Sequence, residues 1–205
     1  MPLPIIAGIV IRAAVGYAAK QGIKYATKKA AKKAIKKLMS KAQDKAEKAL
    51  AKEVKRRKSC KTCKALDKLK DPCSFLRKGN PAGTGKYRGG SYGGAPGSKA
   101  KKLESHHIPA ESAYGLRSMS QSKMPAIQMD VADHRKTSSW GSSANAKAYR
   151  RLQKTAMKSK GGIAAGFAMD LVDIKLRFGK KYDTALIEAG AYLACISKYP
   201  AKHPK

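Results

Sequence analysis

LESHHIP, residues 103–109, is the stretch on which the reading of the second half of the chain turns. Its apolar and polar positions alternate, so Leu103–Ile108 reads as a short strand, and Pro109 ends it by fixing φ and removing a donor. Histidine is scarce in the chain, at His106, His107, His134 and His203 only. On a strand, neighbouring side chains point to opposite faces, so His106 and His107 share one cleft only where the strand stops. Beyond the strand, a polar loop from Pro109 to Lys123 leads to a second strand over Ala126–Met129. Asp133-His134-Arg135 comes next, and Ser142 or Ser143 then caps a helix over Ala144–Lys158. Gly161-Gly162 breaks it. Ile163–Phe178 is an amphipathic helix stopped by Gly179, and Tyr182–Lys198 is another, with Asp183 near its start and Pro200 past its end. Residues 103–205 therefore read as one α+β domain, mostly helical, with a small sheet.

Upstream the composition changes twice. Residues 59–102 hold three of the four cysteines (Cys60, Cys63 and Cys73; the fourth is Cys195) and then a Gly/Pro/Ser-rich run, GNPAGTGKYRGGSYGGAPGSKAKK. The cysteine spacing is half of a zinc site, and disulfides or reduced thiols fit it as well. The glycine-rich run reads as a flexible linker or approach loop; Tyr87, Arg88 and Tyr92 within it suit base stacking or phosphate pairing, or simply a surface loop. Residues 1–58 open with an apolar stretch, 3–19, whose basic residues follow it, the reverse of a secretory signal. That stretch is short for a membrane span and carries Arg12 at its centre. From Gln21 to Lys58, alanine and lysine alternate with an aliphatic stripe at Ala31, Ile35, Leu38, Ala42, Ala46, Leu50 and Val54. This predicts a long basic amphipathic helix or a helical hairpin, packed on the rest of the protein or laid on a membrane or nucleic acid.

Charge narrows the class of partner. The chain has 205 residues and a formal net charge of +32. A compact state repels itself at that charge unless a polyanion relieves it, and nucleic acid rewards each lysine by releasing counterions. Residues 1–58 carry 17 basic residues against 3 acids, whereas 103–205 carry 17 against 8. Chemistry that needs carboxylates therefore belongs to the second half. Trp140, the lone tryptophan, reads either as a core anchor or as a platform for a base.

Histidines at a strand end beside a polycationic surface suit phosphodiester hydrolysis. A neutral imidazole removes a proton from water, and a divalent ion held by imidazole and carboxylate stabilises the developing charge. ESHHIPAE (104–111), followed by MPAIQMDVADHRKTSSWG (124–141), resembles the SHH-signature group of HNH/endonuclease VII-fold toxins, which form C-terminal domains of bacterial polymorphic toxins. The resemblance covers roughly residues 79–199. It implies a ββα-metal core (HNH, or His-Me finger) in the C-terminal half. It also implies that His107 is the general base, that His106 and His134 ligate metal, and that Asp133 or Asp130 ligates or orients a histidine. Ser105 would support that geometry through a hydrogen bond. Arg135, Lys136, Arg150, Arg151 and Lys154 would contact phosphates. The central Asn of the family has no counterpart, since Asn145 stands late, at the start of a helix.

The resemblance further implies an antibacterial endonuclease acting on DNA ahead of RNA, with Mg2+ favoured over Zn2+. A contact-dependent system such as a type VI apparatus would secrete it, with or without a chaperone or carrier, into the target-cell cytoplasm. An acidic immunity protein would neutralise it, and residues 3–58 would touch membrane in transit. Two other classes remain open: a non-catalytic protein that compacts nucleic acid through its lysine-rich helix, and a membrane-active toxin built on residues 1–58.

Overall fold

The computed structural model describes residues 25–79, 86–114, 119–159 and 162–199; the apolar stretch 3–19, the segment from Gln21 to Lys24 and His203 lie outside them. The protein is α+β and mostly helical. Helix α1 spans Tyr25–Lys58; strands β1 (Gly89–Ser91), β2 (Leu103–His107) and β3 (Pro125–Asp130) follow. The chain then enters helices α2 (Val131–His134), α3 (Ala144–Met157), α4 (Gly162–Phe178) and α5 (Asp183–Lys198). Ser143 caps α3, its hydroxyl accepting from the Ala146 amide at 3.1 Å, and Gly179 takes the left-handed conformation (φ 59°) that stops α4.

The strands form one antiparallel sheet in the order β1-β3-β2, with Leu103 opposite Asp130 and His107 opposite Ala126. Helices α4 and α5 supply most of the core, including Phe167, Leu171, Ile174, Leu186, Tyr192 and Ile196. That burial is why neither helix shows a clean polar face over its central turns: Asp170, Asp173 and Glu188 are buried as well.

Two upstream regions are more tightly incorporated than their composition suggests. In α1 the middle of the predicted aliphatic stripe is buried, at Leu38, Ala42 and Ala46 (the side chains of Ala31 and Ile35 lie outside the description), and α1 lies against α5 so closely that a Cβ at Gly190 would come within 2.8 Å of the Ala42 methyl. Val54, at the far end of the stripe, is exposed. The glycine-rich run does not behave as a linker where it is described. Gly89–Ser91 forms the fully buried strand β1, and a side chain at Gly89 would collide with the Ala185 carbonyl of α5. Glycine serves close approach of backbones there. Glu188 of α5 ties the pieces together, accepting from the Gly89 amide at 2.9 Å and pairing with Lys45 of α1 at 3.2 Å.

All four cysteines are in disulfides, Cys60–Cys63 and Cys73–Cys195, so the half zinc site is not what the spacing encodes. The second bridge is buried and joins residues 122 apart. In the chain-entropy account, closing a loop of that size destabilises the unfolded state by about 4–5 kcal/mol.

Candidate active site

β2 and β3 form a hairpin-like pair, and β3 runs directly into α2, so a short helix begins at Val131 and ends at His134. From sequence, the first helix after this strand is expected only at Ala144. Four residues make too short a run to show helical periodicity, yet this single turn carries His134 back over β2. The Val131 amide donates to the Lys102 carbonyl at 3.1 Å and fastens the corner.

On β2, Glu104 and His106 are two residues apart and share a face. His134 reaches both. Its Nδ1 lies 2.6 Å from Glu104 Oε2, and its ring meets that of His106 edge-on with centroids 4.8 Å apart. At the strand end His107 stacks on Tyr92, centroids 4.0 Å apart and planes within 8°. The three imidazoles line one cleft of about 380 Å³, together with Ser105, Glu111, Trp140 and Arg150.

Two of its nitrogens stand out. His106 Nε2 and His107 Nε2 are buried with no hydrogen-bond partner among the described residues. Burial first, and then the neighbouring His134 and His107, hold the His106 imidazole far below the ordinary histidine range and hence neutral. Burial also pushes His107 below its ordinary value of 6.5, although Glu111 and a hydrogen bond with the Gln121 backbone pull it up. Neutral imidazoles with free lone pairs can accept a proton or ligate a cation.

The remaining candidates divide. Ser105 lines the cleft, but among the described residues its buried hydroxyl has no hydrogen-bond partner, so the supporting bond expected of it is not seen there. Asp133 is not brought to the histidines: its carboxylate accepts from Lys181 at 2.6 Å and from the Tyr182 hydroxyl at 2.8 Å. Asp130 is held the same way by Lys86, Tyr87 and Lys181. Burial resists ionisation of Asp130, but hydrogen bonds from Lys181, Tyr87 and Lys86 overcome it and bring the carboxyl down to about 2. Arg150 is in the cleft wall, donating to the carbonyls of Ser139 and Gly141 at 2.5 and 2.8 Å. Arg135 and Arg151 border the adjoining cleft, while Lys136 and Lys154 are exposed outside both.

Glu104 was missed as a functional residue. The signal was present: a carboxylate two positions before a strand histidine shares its face. Tyr92, read as a base-stacking or loop residue, stacks on His107 instead.

The donors allow a test of fit for a divalent ion. Among the described residues, no three His, Cys, Asp or Glu side chains converge as a metal cluster. Two imidazoles do approach each other, one with an unpartnered Nε2 and the other with Nδ1 engaged by a carboxylate, which leaves its Nε2 for a cation. These two imidazoles are the nitrogen donors that would hold a divalent ion.

No family model, no curated protein and no solved structure matches this chain.

Proposed function

We propose that this chain is a metal-dependent endonuclease toxin of the HNH type, with β2, β3 and α2 as its ββα core. The observation that carries the reading is the pair of buried, unpartnered nitrogens, His106 Nε2 and His107 Nε2, in a cleft that His134 enters from a separate element. The net charge of +32 supplies the affinity for a polyanion.

In this reading His107 is the general base. Its neutral form takes the proton of the attacking water, and the stacked Tyr92 ring holds the imidazole plane. His106 and His134 would hold the divalent ion, with Glu104 fixing the orientation and tautomer of His134. The ion, when bound, supplies positive charge to the phosphate oxygens. Two imidazoles suit Zn2+ and other first-row ions at least as well as the Mg2+ favoured from sequence, because Mg2+ prefers oxygen donors. Asp133 is not assigned to the ion, since Lys181 and Tyr182 already occupy its carboxylate. Arg135, Lys136, Arg151 and Lys154 serve phosphate, and Arg150 shapes the loop beside it.

DNA is proposed ahead of RNA as the substrate. Contact-dependent secretion into a target-cell cytoplasm and neutralisation by an acidic immunity protein follow from the SHH-toxin resemblance. Plasmid cleavage tests the catalytic core of the proposal. Wild type is expected to cut, and both EDTA and His107→Ala to abolish cutting. Plasmid that is retarded or compacted but never cut would instead mark a non-catalytic nucleic-acid binder.

A further inference from the structure

A second, larger cleft adjoins the histidines. It encloses about 980 Å³, within the range of ligand sites, and is bordered by Arg135, Ser142, Asn145, Arg151 and Leu152. Trp140 and Gly141 line this cleft and the histidine cleft alike. Trp140 is not the core anchor that a lone tryptophan often is: 45% of it is exposed, and it is exposed in the wall that the two clefts share. The Arg135 guanidinium lies 6.0 Å from its ring centroid, at the edge of cation–π reach. Leu152, 41% exposed, adds a second apolar surface in the same cleft.

We propose that Trp140 is a stacking platform for an unpaired nucleobase, seated between the two clefts so that the adjoining phosphate falls to the histidines. The substrate class is then single-stranded or locally melted nucleic acid. This rests on the nuclease reading for what happens to the phosphate, but not for the stacking itself. An indole offers its face to any base, whereas the faces of bases inside a duplex are already covered by their neighbours. Arg135 and Arg151 flank the platform where a backbone would run, and the exposed Ser142 and Asn145 offer polar partners for base edges.

Trp140 is the chain's only tryptophan, so its fluorescence reports on this position alone. The test titrates the full-length His107→Ala protein in EDTA, where nothing is to be cut, with an oligothymidylate and with a blunt-ended duplex of equal length. Physiological or higher salt keeps lysine–phosphate attraction from masking stacking. The oligothymidylate is expected to quench the emission saturably and the duplex to leave it nearly unchanged. Trp140→Ala should weaken single-strand binding, read by anisotropy of a labelled oligonucleotide, on the order of tenfold, and Trp140→Phe should retain most of it. Duplex binding should be the same in all three. Equal quenching by duplex and single strand, or single-strand binding without quenching, would overturn the proposal, as would full affinity in Trp140→Ala. Quenching as described by a protein that never cuts plasmid would uphold the platform and sink the nuclease reading, so the two fail separately.

Discussion

The corner where β3 turns into α2 has two sides, and they treat polar groups in opposite ways. On one side Asp130 and Asp133 are saturated: Lys86, Tyr87, Lys181 and Tyr182 deliver N–H and O–H groups to their carboxylates within 3.1 Å. On the other side, one residue beyond Asp133, His134 faces His106, whose Nε2 is buried and unpartnered, as is that of His107. A buried polar atom left unsatisfied costs about 1–3 kcal/mol. Folding alone gains nothing from two such atoms in one cleft, whereas a site that must take a proton or a cation needs them open. The saturated side holds the corner together; the unsatisfied side is where the chemistry is proposed.

Substitutions on the two sides should therefore separate activity from stability. The largest effect is expected at His107. His107→Ala should lower the plasmid-cleavage rate on the order of 10²–10⁴-fold, with a modest drop in the unfolding midpoint from the lost stacking on Tyr92 and a folded protein remaining. Glu104→Gln comes next. The amide still meets His134 but offers Nδ1 a donor as readily as an acceptor and so no longer fixes the tautomer, and a loss of roughly 10–100-fold in cleavage or in metal affinity by isothermal titration is expected. Asp133→Ala should do the converse: about 2 kcal/mol lost in urea unfolding, as expected for hydrogen bonds to a charged group, with cleavage close to wild type where the protein is folded. If Asp133→Ala abolished cleavage without touching stability, the aspartate would return to the ligand role expected from sequence, and the contrast between the two sides would be gone.

The β2–β3 pair, the three C-terminal helices and the Ser143 cap were legible because each is announced locally, by alternation, by a capping serine or by a stopping glycine. The grouping of His106, His107 and His134 comes from the family resemblance and not from their spacing, and all three line one cleft. What escaped depends on long-range contact. That Lys181 and Tyr182 would take Asp133 cannot be read from positions 48 and 49 residues away. Nor does a glycine-rich run announce that its glycines admit the backbone of α5, or four scattered cysteines how they pair. Glu104 is the exception: its place on the His106 face follows from strand geometry alone.

Asp170 of α4 offers the sharpest check on reading unsatisfied groups as functional, because it is unsatisfied yet lies outside the histidine cleft. Its Oδ1 accepts from the Tyr149 hydroxyl at 2.9 Å, while Oδ2 is buried with no hydrogen bond of ordinary geometry among the described residues, the Gln153 side chain being its nearest polar neighbour in effect. Burial drives this carboxyl well above its ordinary 3.8, with hydrogen bonding from Tyr149 and Gln153 pulling the other way. Above pH 3.8 the unfolded chain releases this proton and the folded protein keeps it, so the contribution of Asp170 to stability is complete below 3.8 and declines as pH rises toward the folded value. Asp130 has the opposite sign: its folded value of about 2 gives stability that is complete above the ordinary 3.8 and is lost as pH falls through 2. Urea midpoints measured across this range should therefore lose an acid-side drop in Asp130→Asn, and lose a decline toward neutral pH in Asp170→Asn. The second change is expected to be the smallest of those considered and to leave plasmid cleavage unaltered. Were Asp170→Asn to stop cleavage in a protein that still folds, an unpartnered atom in the helical core would belong to the chemistry, and the division between the two sides of the β3–α2 corner would be drawn in the wrong place.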